Sequence, residues 1–227
     1  MSTLDVAAGA VRRDETVEIV MLLAFTGGYI DAYTWIIHGV MANAQTANVI
    51  FLWVYAMAGN WAEALHFVPP ILAFTVGIVV AAWLRRAAGN RASALGTLVE
   101  ILFLITIGIL HNRLPDLAGT LGISMVAAIQ AAMFVKVEGT VCSTVMITGN
   151  MRQFVENLFA VVHGGAPFGT LRKSAIFFAL CAVFGCGAAA GAFATKALPN
   201  LALGIPVVAL LIVLLRCEAM PRAGEGR

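Results

Sequence analysis

Two tripeptides, Thr46-Ala47-Asn48 and Thr148-Gly149-Asn150, put a hydroxyl, a small residue and a carboxamide side by side at the head of apolar runs. Together they offer uncharged donors and acceptors, the chemistry of a site for a small polar solute. Four ionisable residues stand nearby or inside other apolar stretches. Asp31 lies about two-thirds along the first such stretch, Glu100 precedes five consecutive apolar residues, and Arg152 and Glu156 are spaced i, i+4. Thr46, Asn48, Thr148, Gly149, Asn150, Asp31 and Arg152 could bind a small polar or anionic solute, and Asp31 or Glu100 could carry a proton. Each also has a plainer role. The asparagines suit helix N-caps, and Asn150 with Gln153 has capping-box spacing. Gly149 would let backbone approach closely. Asp31 could be hydrated near a helix end or bonded to a neighbouring Tyr or Trp. Glu100 could be a protonated buried carboxyl, and Arg152 and Glu156 could form a local ion pair.

Which of these roles applies depends on what holds the residues. The chain of 227 residues is 61% hydrophobic and only 11% charged, with a mean hydropathy of +0.93. A soluble domain carries roughly 25% charged residues, so the composition indicates an all-α multi-pass membrane protein. The polar segment 1–16 does not resemble a secretory leader. Ala42-Asn43-Ala44 has a cleavage-site look, but the apolar stretch before it is too long and contains Asp31, so the first hydrophobic segment is read as retained.

A hydrocarbon core about 30 Å thick takes about 20 residues of helix. Six stretches reach or approach that length: 17–38, 67–84, 93–111, 115–135, 174–195 and 201–216. Two further segments do not. Residues 49–59 span about 16 Å at 1.5 Å per residue, and 151–163 carries Arg152, Gln153, Glu156, Asn157 and His163. If all eight cross, eight basic residues fall inside and five outside. If the two awkward segments enter and leave on one side, the count becomes eleven inside and two outside. The positive-inside rule favours the second arrangement: six spanning helices and two short re-entrant helices, with both termini cytoplasmic. Eight spanning helices are the alternative.

The same arrangement divides the chain into a polar N-terminus (1–16), two halves of opposite orientation (17–112 and 113–216) and a polar C-terminus (217–227). Internal similarity supports the division. Gly28–Ala32 aligns with Ala128–Ala132, and His38-Gly39 with Glu138-Gly139, at an offset of 100. Thr46-Ala47-Asn48 aligns with Thr148-Gly149-Asn150 at 102. Inverted repeats with interrupted hydrophobic segments at corresponding positions point to a midplane site between the halves.

The segments AFTGGYIDAYTW, TAN, AAIQAAMF and MITGNM resemble the YoaK-like family of bacterial multi-pass membrane proteins over roughly 17–216. That family has Gly-Met-Gln-Asn-Ala where this chain has Ala128–Ala132, and Thr-Gly-Asn where it has Ala47. The resemblance implies a bacterial plasma-membrane location and names no substrate.

Other chemistries lack their residues. Cys142, Cys181, Cys186 and Cys217 show no CxxC spacing and no histidine at ligand spacing, so packing explains them. His38, His66, His111 and His163 suit interfacial or capping positions. Nothing resembles a nucleotide loop or a Ser/His/Asp arrangement, and the basic residues are scattered at helix ends rather than patched for nucleic acid. The expectation is therefore a transporter or channel, not an enzyme, needing no cofactor or metal. Its partners are the bilayer and a small solute, and an oligomer is compatible with it. A non-transporting assembly or regulatory protein is the alternative. The Gly187-to-Gly191 GxxxG spacing is read as internal packing rather than dimerisation.

Overall fold

The computed structural model of the chain describes residues 13–110 and 113–219. Most of the polar termini expected at 1–16 and 217–227, with Arg12, His111, Arg222 and Arg227, lies outside the described residues. The described chain is helical, with α1 Val17–His38, α2 Gln45–Met57, α3 Trp61–His66, α4 Val68–Ala88, α5 Ala92–Leu110, α6 Asp116–Met133, α7 Ile147–Val162, α8 Thr170–Ala197 and α9 Gly204–Ala219. A two-residue hairpin, β1 Lys136–Val137 and β2 Thr140–Val141, follows α6. The stop and start signals are local. Gly39, at φ +66°, ends α1 with its N–H on the Trp35 carbonyl, and prolines 69 and 70 open α4, where missing N–H groups cost nothing.

Four apolar helical stretches are long enough to cross a membrane: Val17–His38, Trp61–Leu110, Asp116–Met133 and Thr170–Ala197. The second holds both α4 and α5, separated by a 3₁₀ turn at Gly89–Arg91, and α9 is a shorter apolar helix. Large apolar side chains such as Trp83, Ile109 and Phe193 face outward. In water such a surface would aggregate; in a bilayer it is solvated. The chain is an integral membrane protein.

Polar contacts define two ends of the bundle. At one end Ser93 Oγ donates to Asp14 (2.7 Å), the Glu15 carboxylate accepts the Gly139 N–H (3.1 Å), and Arg216 pairs with Glu18 (3.1 Å). Arg85 caps the Ala132 carbonyl at the C-terminus of α6, and Arg172 pairs with Glu138 there too. At the other end His38 Nδ1 meets Asp116, and His66 Nε2 donates to the His38 carbonyl (2.6 Å). The His66 contact with His38 brings the end of residues 39–66 back to their start, and the Arg172–Glu138 pair brings the start of α8 back to the hairpin after α6.

Packing exchanges partners between the halves. α1 packs chiefly on α8 and also on α9, whereas α6 packs on α4 and α5. Both major crossings depend on missing side chains. A Cβ on Gly28 would run into the Phe184 carbonyl, and one on Gly187 into that of Phe25. Gly191 lies against the Tyr29 carbonyl, 2.5 Å from where its Cβ would be. In the second crossing, a Cβ on Gly77 would lie 2.3 Å from the Met125 carbonyl. The GxxxG glycines therefore serve internal packing, as the sequence suggests.

Gly28→Ala or Gly187→Ala is expected to destabilise the protein by about 1–3 kcal/mol, the usual cost of overpacking. Gly185→Ala, which meets nothing within 4 Å, should be neutral. Thermal unfolding in detergent distinguishes them.

Candidate functional site

The loops that precede α2 and α7 have no helix to satisfy their backbone, and an asparagine does it in each case. Asn48 Oδ1 accepts the Met41 N–H (3.0 Å), and its Nδ2 donates to the Met41 carbonyl (2.7 Å) and to Gln45 Oε1 (2.9 Å). Asn150 Oδ1 accepts the Ser143 N–H (3.1 Å), and its Nδ2 donates to the Ser143 carbonyl (2.5 Å). Each carboxamide thus acts as an extra peptide group for the residue seven positions before it. Both side chains are buried.

This corrects the expectation of helix caps. The N-cap positions are Ala44 and Met146, with no side-chain capping bond at either. The helices begin before the asparagines, at Gln45 and Ile147 rather than at 49 and 151, so each asparagine is the fourth helical residue. From there its side chain points back along the helix toward the N-terminus, which is where the incoming loop lies.

The clamped loops reach the middle of the bundle. The Asn43 N–H donates to Asp31 Oδ1 (2.8 Å), and Asn43 Nδ2 donates to the Gly27 carbonyl (3.2 Å). From the other loop, the Thr144 carbonyl lies 2.7 Å from where a Gly27 Cβ would be. Gln130 Nε2, on α6, donates to the Leu23 carbonyl (3.0 Å) and to Thr144 Oγ1 (3.3 Å). Gly27 is the eleventh residue of the 22-residue α1. Both loops therefore touch one glycine near the middle of α1. Thr34 Oγ1 accepts the Ala42 N–H (3.2 Å) and completes the first loop's attachment.

The sequence-predicted residues divide accordingly. Asp31, Asn48 and Asn150 are buried, and Asp31 joins the central cluster. Thr46, Thr148 and Gly149 are exposed on the outer faces of their helices. A Cβ on Gly149 would meet nothing within 4 Å, so no protein group packs closely on its backbone. Arg152 is also turned outward, its side chain 72% exposed and 3.9 Å from Glu156. The local pair forms, and among the described residues no ion pair joins Arg152 to Asp31. Glu100 is fully buried on α5, away from the loops in sequence, with Oε1 lacking a partner. Asn43, Gln130 and Thr144 are the members that sequence reasoning passed over. An intramembrane glutamine aligned beside Asp31 was the available signal for Gln130.

Among the described residues no three His, Cys, Asp or Glu side chains gather for a metal. Cys142 is buried, and burial followed by the nearby Glu15 charge pushes its thiol up to about 12, which keeps it an unreactive thiol. Two clefts open elsewhere. One of about 450 Å³ lies between α5, α9 and the turn before α9 (Leu104, Gly108, Asn200, Leu203, Val207). Another of about 190 Å³ lies at the end bearing Asp14, Glu15, Arg85, Ser93 and Lys136.

Asn48→Ala and Asn150→Ala should each cost about 2–4 kcal/mol, since each strands a buried N–H and C=O. Thr46→Val and Thr148→Val should stay within about 0.5 kcal/mol, as for exposed positions. Chemical or thermal unfolding of the purified protein checks both.

No curated protein and no solved structure matches the chain. A family model does, over residues 19–216, and its description is "Protein of unknown function (DUF1275)". That span runs from the first turn of α1 into the last turn of α9 and agrees with the range of the resemblance drawn from the sequence. The chain belongs to the DUF1275 family of proteins of unknown function.

Proposed function

We propose that the protein is a small transporter or channel that passes a small polar solute through the centre of two inverted halves. The observation that carries this reading is the meeting of two polar, non-helical loops on Gly27. Irregular backbone at membrane depth is tolerated only where protein buries it or where it lines a water-filled path. Interrupted segments at matching positions of inverted repeats are characteristic of transporter sites.

Three features support two inverted halves. The asparagine clamps recur at an offset of 102, and the turns at Gly39 and Gly139 both have positive φ at an offset of 100. The crossings α1–α8 and α6–α4 exchange partners in the same way. On this reading α1, α4, α5, α6, α8 and α9 span the bacterial plasma membrane, α2 and α7 are re-entrant, and both termini are cytoplasmic. The solute path is built from Asp31, Asn43, Gln130 and Thr144, with Asn48 and Asn150 holding the loops. Thr46, Thr148, Gly149 and Arg152 drop out of it. With Arg152 turned outward, an anion loses its counter-charge, so a neutral or cationic solute fits better. Glu100 remains a second proton-carrying candidate. Neither catalysis nor nucleic-acid binding belongs to this reading, and an oligomer is compatible with it.

One observation favours the alternative, a non-transporting membrane assembly or regulatory protein. The Asn48 and Asn150 carboxamides each bond the N–H and the C=O of one loop residue, as a purely structural role would have them. Flux separates the two. Proteoliposomes are expected to take up at least one probe among urea, glycerol, ammonium and alkali ions faster than protein-free vesicles. Gln130→Leu should cut that rate roughly tenfold, equivalent to about 1.4 kcal/mol. Uptake by wild type at the protein-free rate for every probe would favour the structural alternative.

A further inference from the structure

Glu100 is the ninth of the nineteen residues of α5 and only 1% exposed. Its Oε1 has no hydrogen-bond partner, and no salt bridge among the described residues reaches it. The elements packed on α5 hold no charge near its middle. Past Asp116 at its start, α6 has no ionisable side chain. Helix α4 has none before Arg85, α9 none before Arg216, and the turn before α5 carries Arg91. On α1, which packs on α6 and α9, Glu18 and His38 are paired at the two ends. Between them Asp31 accepts the Asn43 N–H, and the Tyr29 hydroxyl donates to the Ala202 carbonyl (2.5 Å). An unpaired carboxylate at mid-helix is costly in a membrane, and the neutral acid is the form that such a site keeps.

Along α5, Leu104 follows Glu100 at i+4 and Gly108 at i+8, so the three stand one above another on the helix surface. Leu104 and Gly108 both line the cleft of about 450 Å³ between α5, α9 and the turn before α9. Leu104 has no exposed surface and is the last cleft-lining residue before Glu100. The cleft belongs to the end of the bundle that carries Asp116. Helix α5 runs against α6, with Gly96 on Ile129 and Gly122 on Ile107, so Gly108 lies toward the start of α6. Asn200, on the other wall, follows Lys196 at the end of α8. The turn reaches deep, because the Ala202 carbonyl receives Tyr29, the thirteenth of the 22 residues of α1. Non-helical backbone at such depth is stable where protein buries it or where it lines a water-filled space. Ala202 and Leu203 are buried, while Asn200 and Leu201 are exposed on the cleft. Water in the cleft solvates their backbone, which a lipid chain could not do.

We propose that Glu100 is a proton-binding site served through the α5–α9 cleft from the Asp116 end of the bundle, with Leu104 as the apolar barrier between water and carboxyl. A hydronium ion in the cleft gives its proton to a carboxylate oxygen, forming the O–H and releasing neutral water, and the reverse step returns it. The site is separate from the loops at Gly27. It rests on α5 spanning the membrane, and it offers the transport reading a proton as coupling ion.

Infrared difference spectra of the protein in vesicles, wild type minus Glu100→Gln, isolate the C=O stretch of a protonated carboxyl. The band should be present at neutral pH and should shift on transfer to heavy water. Leu104→Ala should speed that shift roughly tenfold, about 1.4 kcal/mol in barrier. Gly108→Cys, whose Cβ meets Leu203 at an ordinary 3.6 Å, should react with a membrane-impermeant thiol reagent from the same side as Lys196→Cys. If Glu100→Gln does not fold, dicyclohexylcarbodiimide decides on the wild type. The carboxyl O–H adds across one C=N bond of the reagent and rearranges to a stable N-acylurea, so the fragment carrying Glu100 gains the whole reagent mass. Absence of both band and adduct overturns the site. So does a band that stays unshifted even in Leu104→Ala, which would make Glu100 a sealed structural acid. An unreactive Gly108→Cys, or one reached from the side of Lys136→Cys, overturns the route. Proton exchange at Glu100 without solute flux would leave the site standing and remove transport. Flux with no exchangeable proton there would do the reverse.

Discussion

The constraint on which the rest of this structure depends is the hydrogen-bonding demand of backbone that lies deep in the bundle and is not helical. Water is not available there to satisfy an amide, and each orphaned group costs several kcal/mol in hydrocarbon. Asn48 and Asn150 answer the demand in the same way, each presenting one acceptor and one donor to a single residue seven positions earlier. No other side chain of similar size except glutamine carries both functions in the geometry of a peptide group. Once clamped, each loop can continue inward, and Asp31, Thr34 and Gln130 receive the next groups along it.

The inward loops need space, and the glycines provide it. Gly27 admits the Thr144 carbonyl, while Gly28, Gly187 and Gly191 bring α1 and α8 into backbone contact. Adjacent glycines on α1 therefore serve different partners: one receives a loop, the next a helix. Association of apolar helices in lipid relies on such close packing because no hydrophobic force separates helix from lipid. The packing of α1 on α8 and of α6 on α4 ties elements that are distant in the sequence together. Three polar side-chain pairs lie at the ends. His38–Asp116 holds one end, and Glu138–Arg172 and Glu18–Arg216 hold the other.

Much of this was legible in the sequence, and the gaps have physical causes. Helices α1, α4, α5, α6, α8 and the shorter α9 lie within about four residues of the apolar stretches, because an apolar run marks a lipid-compatible helix directly. The i, i+4 pair of Arg152 and Glu156 and the GxxxG packing were readable because both are local spacings. The asparagines were located correctly and given the wrong role. Capping rules describe bonds within a turn of the helix start, whereas these bonds close a seven-residue loop. Asn43 and Thr144 gave no signal at all, since their partners are atoms of distant elements that no spacing encodes. Gly149 and Gly28 look alike in sequence, yet one faces outward and the other a carbonyl.

The central claim of the account is that residues 39–66 and 134–169 each enter and leave on one side of the membrane. Single cysteines in a cysteine-free background, labelled in vesicles with a membrane-impermeant maleimide, test it most directly. Exposed positions serve best: Glu63, Arg86, Lys136, Lys173 and Lys196. The account predicts that Arg86→Cys, Lys136→Cys and Lys173→Cys react from one side, and Glu63→Cys and Lys196→Cys from the other. Finding Lys136→Cys opposite Lys173→Cys, or Glu63→Cys opposite Lys196→Cys, would mean that the short helices cross the membrane and would contradict it.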